Sequence, residues 1–290
     1  MDKKIKDEEM KKELTEIVQV EEGVSITSKE EKLLAKTELG KKVSRGEITD
    51  INYILDNGYV IMESGIVETL IPNLQNDLLL IGRAKGKFGG GKRRIFRQTQ
   101  KKTKEGNKPR FATLAIVGNK QGIIGMGYGK SKETVPAREK AIRNAKFNIF
   151  KIRRGCGSWE CGCGEPHSLP FTIEGKCGSS IIKLIPAPKG TGLKVDKEIA
   201  KILDLAGIKD VWSKTFGQSR TKINLIKAVE DALKQLMKTK LQEVHYQRLS
   251  VAEGPTEKEK VQQKEEEGKQ PEVKEVSKYE KRKRVTKRRK

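Results

Sequence analysis

The chain has 290 residues, of which 62 are Lys or Arg and 39 are Asp or Glu, so its net charge at pH 7 is +23. Hydrophobic residues make up only 34%, fewer than in typical globular domains, and no apolar run is long enough for a transmembrane helix or a secretory signal. Four cysteines in a chain of this length exclude a disulfide framework, and we expect a cytoplasmic, reduced protein whose partner is a polyanion.

The positive charge is concentrated in the middle of the chain. Residues 1–82 have a net charge of −6 and residues 251–290 a net charge of +5, which leaves +24 for residues 83–250. The segment from Arg83 to Arg110 contains 12 basic side chains and a single acid, Glu105. Charge of this density repels itself unless phosphates neutralise it, with counterion release adding affinity. The pattern predicts a folded cationic surface that binds nucleic acid.

The first part of the chain is predicted to be only partly folded. Residues 1–30 mix charges without amphipathic spacing, and we expect poor order there. In residues 31–82 the apolar residues recur at spacings of three and four, interrupted by Gly40, Gly58 and Pro72. This pattern indicates a helical extension made of short helices, which must dock on another element because none is long enough to be stable alone.

Residues 83–154 are predicted to form a small α/β domain. Strands are expected at residues 95–101, 111–117 and 123–128, with a polar connector at 102–109 and a Gly/Asn turn at 118–122. A helical stripe follows, formed by Ala141, Ile142, Ala145, Ile149 and Ile152, with Lys140, Arg143 and Lys146 pointing outward beside it. Three strands followed by a basic helix are the layout of a small RNA-binding module.

A second α/β domain, residues 170–245, is predicted after a Cys/Gly-rich connector at 155–169. Its expected elements are strands at 170–175 and 179–185, a stiff turn at 186–192, a helix marked by Ile199–Ala206 and closed by Gly207, a strand at 211–216 and a helix marked by Leu225–Leu236. Residues 246–290 form a charged, low-complexity tail that cannot bury enough apolar surface to fold alone, and we expect it to be disordered.

The connector holds the most specific candidate site for a metal ion. Cys156, Cys161, Cys163 and His167 supply three thiols and an imidazole within twelve residues, a donor set that fits tetrahedral zinc. The usual C-x2-C spacing is absent, so a glycine-rich turn with packed thiols remains the alternative. Cys177, in a predicted strand, is expected to be a small core residue.

Two further features have competing interpretations. The segment from Gly125 to Ser131 resembles a phosphate-binding loop, but Ile124 stands where the Walker A spacing needs glycine. We therefore expect its glycines to let a strand approach an RNA backbone closely. Trp159 and Trp212 could stack on bases, although we favour core positions for both.

Several segments resemble a known family. Phe111–Asn119, Gly125–Glu133, Ala141–Asn148 and Ile185–Leu193 closely resemble the small-subunit ribosomal protein of the universal S-five family, and Arg153–Gly164 resembles its archaeal branch. The resemblance implies a double-stranded-RNA-binding-like domain followed by an α/β domain with a left-handed βαβ crossover. It also implies contacts with rRNA and neighbouring ribosomal proteins near the channel through which mRNA enters, and an influence on decoding accuracy.

The sequence thus predicts a structural RNA-binding protein of the ribosome and not an enzyme. The predicted RNA-binding residues are Arg83, Lys85, Lys87, Lys92, Arg93, Arg94, Arg97, Lys101, Lys102, Arg110, Lys130, Lys132, Lys140, Arg143, Lys146, Arg153, Arg154, Lys189, Lys214 and Arg220. Those of residues 93–110 alternate with apolar residues, so a strand there is expected to bury one face and point cations from the other. The alternatives are an RNA chaperone or modification factor, and a catalytic zinc protein.

Overall fold

The computed structural model describes residues 35–71, 73–83 and 93–254, which belong to two compact units that divide between Thr49 and Asp50. In the first unit, helix α1 (Glu38–Ser44) begins after Thr37, whose hydroxyl accepts a hydrogen bond from the Gly40 amide at 3.1 Å. This cap satisfies one of the amides left without a partner at the start of a helix. None of the helices in the described ranges is long and apolar enough to cross a membrane. Residues 1–30, predicted to be poorly ordered, lie outside the described residues.

The second unit begins with two short helices, α2 (Ile51–Asp56) and α3 (Ser64–Leu70). Ile54, Ile66 and Val67 are fully buried, as expected of short helices that are stabilised by packing.

A five-stranded antiparallel sheet follows. Its strands are β1 (Gln75–Leu78), β2 (Arg97–Thr103), β3 (Gly106–Gly118), β4 (Ile123–Ser131) and β5 (Ile149–Lys151). Strand β4 lies between β3 and β5, while β3 pairs with β2 along its first half and with β1 along its second half. Helix α4 (Thr134–Phe147) packs on β3 and β4. The predicted hairpin and basic helix are present, and β1 is an additional strand contributed by the predicted helical extension.

Two predicted boundaries in this sheet were wrong. The polar connector at residues 102–109 is mostly strand, because β2 and β3 continue as a ribbon with their turn at Lys104 and Glu105. Ile149 and Ile152 are not part of the helix: α4 ends at Phe147, and Ile149 begins β5. Both isoleucines are buried, Ile149 in β5 and Ile152 directly after it. Over so few residues, two buried positions at this spacing imitate a helical stripe.

The glycines of β4 serve the packing of helix α4 on the sheet. A side chain at Gly125, Gly127 or Gly129 would overlap the backbone of α4 at its alanines. Those alanines, Ala137, Ala141 and Ala145, are fully buried. The alternation of glycine along β4 therefore lets the helix lie directly on the sheet, which corrects our expectation for this segment.

The second sheet has four strands in the order β7, β8, β10, β9. Their bounds are β7 (Ile173–Cys177), β8 (Ser180–Pro186), β9 (Leu193–Lys194) and β10 (Val211–Phe216), with helices α5 (Lys197–Ala206) and α6 (Lys222–Lys238). Strands β9 and β10 are parallel and joined through α5, so they form a βαβ crossover. Gly207 ends α5 with a left-handed φ of 82°, the conformation in which glycine has no steric penalty. Apart from β9, which the sequence did not predict, these elements correspond to the predicted strands and helices.

One hydrophobic core joins the two sheets. It contains Ile116 and Ile124 of the first sheet together with Leu184 of the second, and α5 contributes Ile202 and Leu203. Backbone hydrogen bonds support this contact, because the amides of Lys120 and Gly122 donate to the last carbonyls of α5 at 2.9 and 3.0 Å. The two domains are therefore packed against each other rather than tethered.

The chain returns to the joint between the domains at its described end. Helix α7 (Glu243–Arg248) is followed by β11 (Ala252–Glu253), which pairs antiparallel with β6 (Arg153–Arg154). The predicted start of the tail at residue 246 is therefore too early, since residues 246–254 belong to the folded unit. Residues 255–290 lie outside the described residues.

Candidate nucleic-acid interface and metal centre

Arginines from three parts of the chain line one groove with a volume of about 1040 Å³. We define the arginine groove by five of its lining residues, Arg83, Arg93, Arg94, Arg97 and Arg220. None of the described residues that line it is acidic. The sequence predicted all five as separate RNA-binding residues, and the fold brings them together.

Backbone contacts hold the two sides of the arginine groove in place. The Gly82 amide donates to the Arg94 carbonyl at 2.8 Å, and a side chain at Gly82 would collide with the backbone of Phe96. The Arg93 guanidinium donates to the carbonyl of Arg220 at 3.3 Å, across the boundary between the two domains. The groove is therefore a product of domain packing.

The groove combines cations with an apolar floor and hydroxyl groups. Phe96 and Phe111 are half-buried in its lining, and Thr134 and Thr221 also line it. Guanidinium groups bind phosphates and stack on planar rings, while hydroxyls reach phosphate or 2′-hydroxyl oxygens. Such a lining suits the backbone and sugar edge of folded RNA better than it suits a small apolar ligand.

The ribbon of β2 and β3 exposes cations on both faces. From Arg97 to Lys102 and from Gly106 to Arg110 every residue is exposed, including the predicted Lys101 and Lys102. The expectation that this strand buries one face was wrong, because the ribbon extends past the part of the sheet that α4 covers. Its shape is that of an arm that can follow a polyanion.

A second basic surface lies at the start of α4. Arg110, Lys130, Lys132 and Lys140 line a cavity of about 650 Å³ together with Glu133. The free amides of a helix start favour anions, and Arg143 is exposed further along the same helix. The fold therefore places these predicted residues at a second position suited to phosphate.

Three predicted RNA-binding residues are committed to contacts within the protein. Arg154 is only 1% exposed and donates to the Gly254 carbonyl at 2.8 Å. Arg153 pairs with Glu253 at 2.6 Å and also donates to two carbonyls at the end of α6. Lys146 pairs with Glu68. Arg154 in particular is too buried to contact an external RNA, which corrects the prediction.

The remaining predicted cations are scattered. Lys189 is exposed and pairs with Glu165 at 2.7 Å, and Lys214 is exposed on β10. The register of the second sheet sets Lys183 directly opposite Lys214, a neighbour that sequence reasoning missed. The alternating burial of β8 is visible in the sequence, but the register that pairs these two lysines is not. Lys85, Lys87 and Lys92 lie outside the described residues.

The four predicted metal ligands converge on one point. Their ligand atoms all lie within 4.8 Å of one another. The sulfurs of Cys156 and Cys163 are 3.7 Å apart, and the Cys161 sulfur lies 3.6 Å from His167 Nε2. Zinc bond lengths of about 2.3 Å to sulfur and about 2.05 Å to nitrogen, in a tetrahedron, place such pairs about 3.8 and about 3.6 Å apart. These two distances match a tetrahedral zinc site, and the other ligand atoms lie close enough to complete it. Cys177 is not part of the cluster.

An acid that sequence reasoning missed orients the histidine. His167 Nδ1 lies 2.8 Å from Asp210 Oδ2, and both side chains are buried. A carboxylate on Nδ1 leaves Nε2 free to bind a metal and fixes the ring. Asp210 is 43 residues away in sequence, and no local pattern marks it.

The electrostatics of the cluster favour a cation. Backbone amides of Lys189 and Cys163 donate to Cys161 and lower the pKa of its thiol to about 6. Burial, followed by the neighbouring thiols, raises the pKa of Cys156 to about 12. Three sulfurs held this close repel one another when ionised, and a bound divalent cation removes that repulsion while keeping the thiolates.

One of the two tryptophans, Trp159, differs from our expectation. Trp159, inside the cysteine loop, is 90% exposed and therefore not a core residue. Trp212, on β10, is half-buried.

The chain matches two domain families. Residues 95–153 match the family described as ribosomal protein S5, N-terminal domain, and residues 175–248 match ribosomal protein S5, C-terminal domain. These ranges cover the first sheet from just before β2 and most of the second α/β domain.

Similar full-length proteins support the same grouping. The chain is 53% identical to small ribosomal subunit protein uS5 of Nanoarchaeum equitans over 207 residues, which cover 71% of this chain and 89% of that protein. It is 46% identical to the uS5 protein of Methanocaldococcus jannaschii over 76% of this chain and 94% of that protein. For the uS5 protein of Staphylothermus marinus the identity is 44%, over 70% and 88%.

Proposed function

This chain belongs to the ribosomal protein S5 family, and on that premise we propose that it is a structural constituent of the small ribosomal subunit that binds rRNA. The arginine groove carries this proposal: five arginines line one groove and no described acid accompanies them. In a protein of net charge +23, such a groove requires an anionic partner. Its place of action is then the ribosome.

The proposed mechanism is electrostatic and largely independent of base sequence. Phosphate contacts fix the position of a protein on nucleic acid without reading it, and RNA helices are recognised through shape, phosphates and 2′-hydroxyls. The arginine groove supplies charge on an apolar floor, while the β2–β3 ribbon and the start of α4 supply further cations. Folded rRNA held by these three surfaces releases counterions, which provides most of the affinity.

Replacing Arg93, Arg94 and Arg97 with Gln tests this mechanism. We expect rRNA binding to weaken and the slope of log affinity against log salt to become shallower by about two to three, because each phosphate contact contributes about 0.7–0.9. A charge-matched control replaces Lys227, Lys234 and Lys238, which are exposed on α6 outside the groove. An unchanged slope in the groove variant, or an equal loss in the control, contradicts the proposal.

A more specific proposal concerns the proteins and the mRNA that this chain contacts on the small subunit. We propose that the second α/β domain packs against neighbouring ribosomal proteins, and that exposed cations lie along the path of entering mRNA and influence decoding accuracy. The exposed arm of β2 and β3 supports this, since its cations on both faces can contact rRNA and mRNA together. Crosslinks from Lys101 or Lys102 to mRNA in assembled subunits are expected; a position remote from mRNA in such subunits contradicts it.

We propose that the cysteine cluster holds one zinc ion with a structural role. Four protein ligands close the tetrahedron and leave no position for a reactive water, which distinguishes structural from catalytic zinc. The purified full chain is expected to contain close to one equivalent of zinc by mass spectrometry. Cys163→Ser is expected to lose the metal and Cys177→Ser to keep it. Less than a tenth of an equivalent in the unaltered protein contradicts this proposal.

An independent RNA-binding factor is the competing assignment. An integral constituent remains with small subunits during sedimentation in high salt, whereas a factor is washed off. The shared core of the two domains and the family membership support the constituent. Release of the full chain from subunits at a salt concentration that leaves other ribosomal proteins bound would favour the factor.

A further inference from the structure

Three contacts join the cysteine loop to the turn at residues 186–192. The Lys189 amide donates to the Cys161 sulfur, and the Lys189 ammonium pairs with Glu165 at 2.7 Å. The third contact runs through Asp210, which binds His167 with one carboxylate oxygen. Each contact therefore involves a metal ligand, Cys161 or His167, or Glu165, which lies between two ligands in the sequence.

Asp210 is the central connection because its two oxygens serve two different segments. Oδ2 faces His167 Nδ1 at 2.8 Å, while Oδ1 accepts from the amides of Gly190 at 3.1 Å and Gly192 at 2.8 Å. The carboxylate is buried, with 4% of the residue exposed. Its hydrogen bonds therefore form without competition from bulk water, which makes each one costly to lose.

The turn needs such support because of its backbone. Gly190 and Gly192 have φ values of +90° and +72°, a region that glycine adopts without steric penalty. Glycine also loses more conformational entropy on folding than any other residue, so this turn is costly to order. Immediately after the turn, β9 has only two residues. Strand pairing therefore secures only the end of this segment, and within the turn Thr191 donates to the Pro188 carbonyl at 2.8 Å.

The same loop also holds the end of the described chain. The Cys156 amide donates to the Leu249 carbonyl at 2.8 Å, and a side chain at Gly155 would collide with that carbonyl. The ligand at the start of the loop is thus attached to the segment between α7 and β11. The cysteine loop therefore contacts both the turn at residues 186–192 and the segment that returns between α7 and β11.

We propose that the zinc ion is a clasp for these three segments, and that Asp210 is the positioning residue through which metal loading sets the conformation of the turn at 186–192. This inference rests on the proposed zinc centre. Zinc fixes the imidazole through Nε2, which fixes the direction of Nδ1–H and with it the carboxylate. Without zinc, the thiols separate and His167 loses its anchor, so the amides of Gly190 and Gly192 lose a fixed acceptor.

Hydrogen exchange of the full chain tests the clasp directly. After zinc is removed with a chelator, the Gly190 and Gly192 amides are expected to exchange at least tenfold faster, and the Leu184 amide in the middle of β8 is expected to stay unchanged. Re-addition of zinc alone restores protection. Equal exchange rates with and without zinc at both glycines overturn the clasp, even where the protein holds a full equivalent of metal.

Asp210→Asn tests the positioning role. Asp204→Asn is the control because the Asp204 side chain is exposed and pairs with Lys120 at 3.8 Å, away from the cysteine cluster. Loss of an outer-shell carboxylate typically weakens metal affinity 10–100-fold, and we expect this range for Asp210→Asn and no change for the control. Unchanged zinc affinity in Asp210→Asn overturns the positioning role.

A third variant covers the case in which Asp210→Asn does not fold. Cys163→Ser removes a half-buried ligand and leaves Asp210 intact, and faster exchange at Gly190 and Gly192 is again expected, while Cys177→Ser leaves it unchanged. Absence of zinc from the unaltered protein refutes the zinc centre itself. Bound zinc with exchange rates at both glycines that do not respond to it refutes only the clasp.

Discussion

Two arginine-rich segments of this protein have different environments. Residues 93–97 lie in and beside the arginine groove, where Arg94 and Arg97 are exposed. Residues 151–154 lie at the joint between the domains, where Lys151 pairs with Asp56 and Glu253, and Arg153 with Glu253. In the first run no described acid lines the groove beside the cations. In the second run the protein supplies the anions itself. Arginine content alone therefore does not distinguish cations that are paired within the protein from cations that are exposed; the location of the nearest acid does.

Truncation of Arg154 is expected to have the largest effect on stability. Arg154→Met leaves the Gly254 carbonyl without its donor and disturbs a buried charged site, so the free energy of unfolding should fall by about 3 kcal/mol. Arg94→Met, in the exposed run, should change it by less than about 0.5 kcal/mol. Urea unfolding of both variants measures the difference, and equal effects would remove the distinction between the two runs.

Single substitutions in the exposed run are expected to act on RNA binding instead. Arg97→Gln should lower the slope of log affinity against log salt by about one, because one phosphate contact is lost. Arg97→Lys keeps the charge and should keep most of the slope. The folded fraction of Arg154→Met should bind rRNA with an unaltered slope; a reduced slope there would mean that the joint also contacts RNA.

The smallest expected effect is a pH dependence of stability that arises at the joint. Burial raises the pKa of Glu253, but hydrogen bonds from Arg153 and Tyr246 and the charges of Arg153 and Lys151 outweigh it, so the pKa lies below its ordinary value of 4.5. A lowered folded-state pKa means that this stabilisation is present above pH 4.5 and disappears as the pH falls through the folded value.

Glu253→Gln should flatten that part of the curve of unfolding free energy against pH, with Glu230→Gln, which alters an exposed helical pair, as the control. An acid limb of the same steepness in Glu253→Gln would show that the joint does not titrate in this range.

The periodic elements of the second domain were predictable because their patterns are local. Helix α6 carries its apolar residues at helical spacing, and Gly207 ends α5 where a left-handed residue is needed. The extra strand β1 was not predictable, because its residues QNDL have no alternation and pair with β3 only across some 40 residues of intervening chain. The same holds for the return of β11 to β6.

In the candidate sites, too, residues close together in sequence could be predicted and distant ones could not. The four metal ligands lie within twelve residues and could be named from the sequence, whereas Asp210, which orients His167, comes from the other end of the βαβ crossover. The alternating glycines of β4 could be read from the sequence, but their structural role could not. It depends on α4, whose backbone occupies the space that side chains at these positions would need.

The sequence by itself determined the excess of positive charge, the periodic elements, the family and the thiol–imidazole donor set, because each of these is carried by residues close together in the chain. The tertiary structure alone decided which cations remain free, which acid supports His167 and which glycines lie under a helix. Those outcomes depend on groups that meet only after domain packing brings distant segments within hydrogen-bonding distance, and no local pattern contains that information.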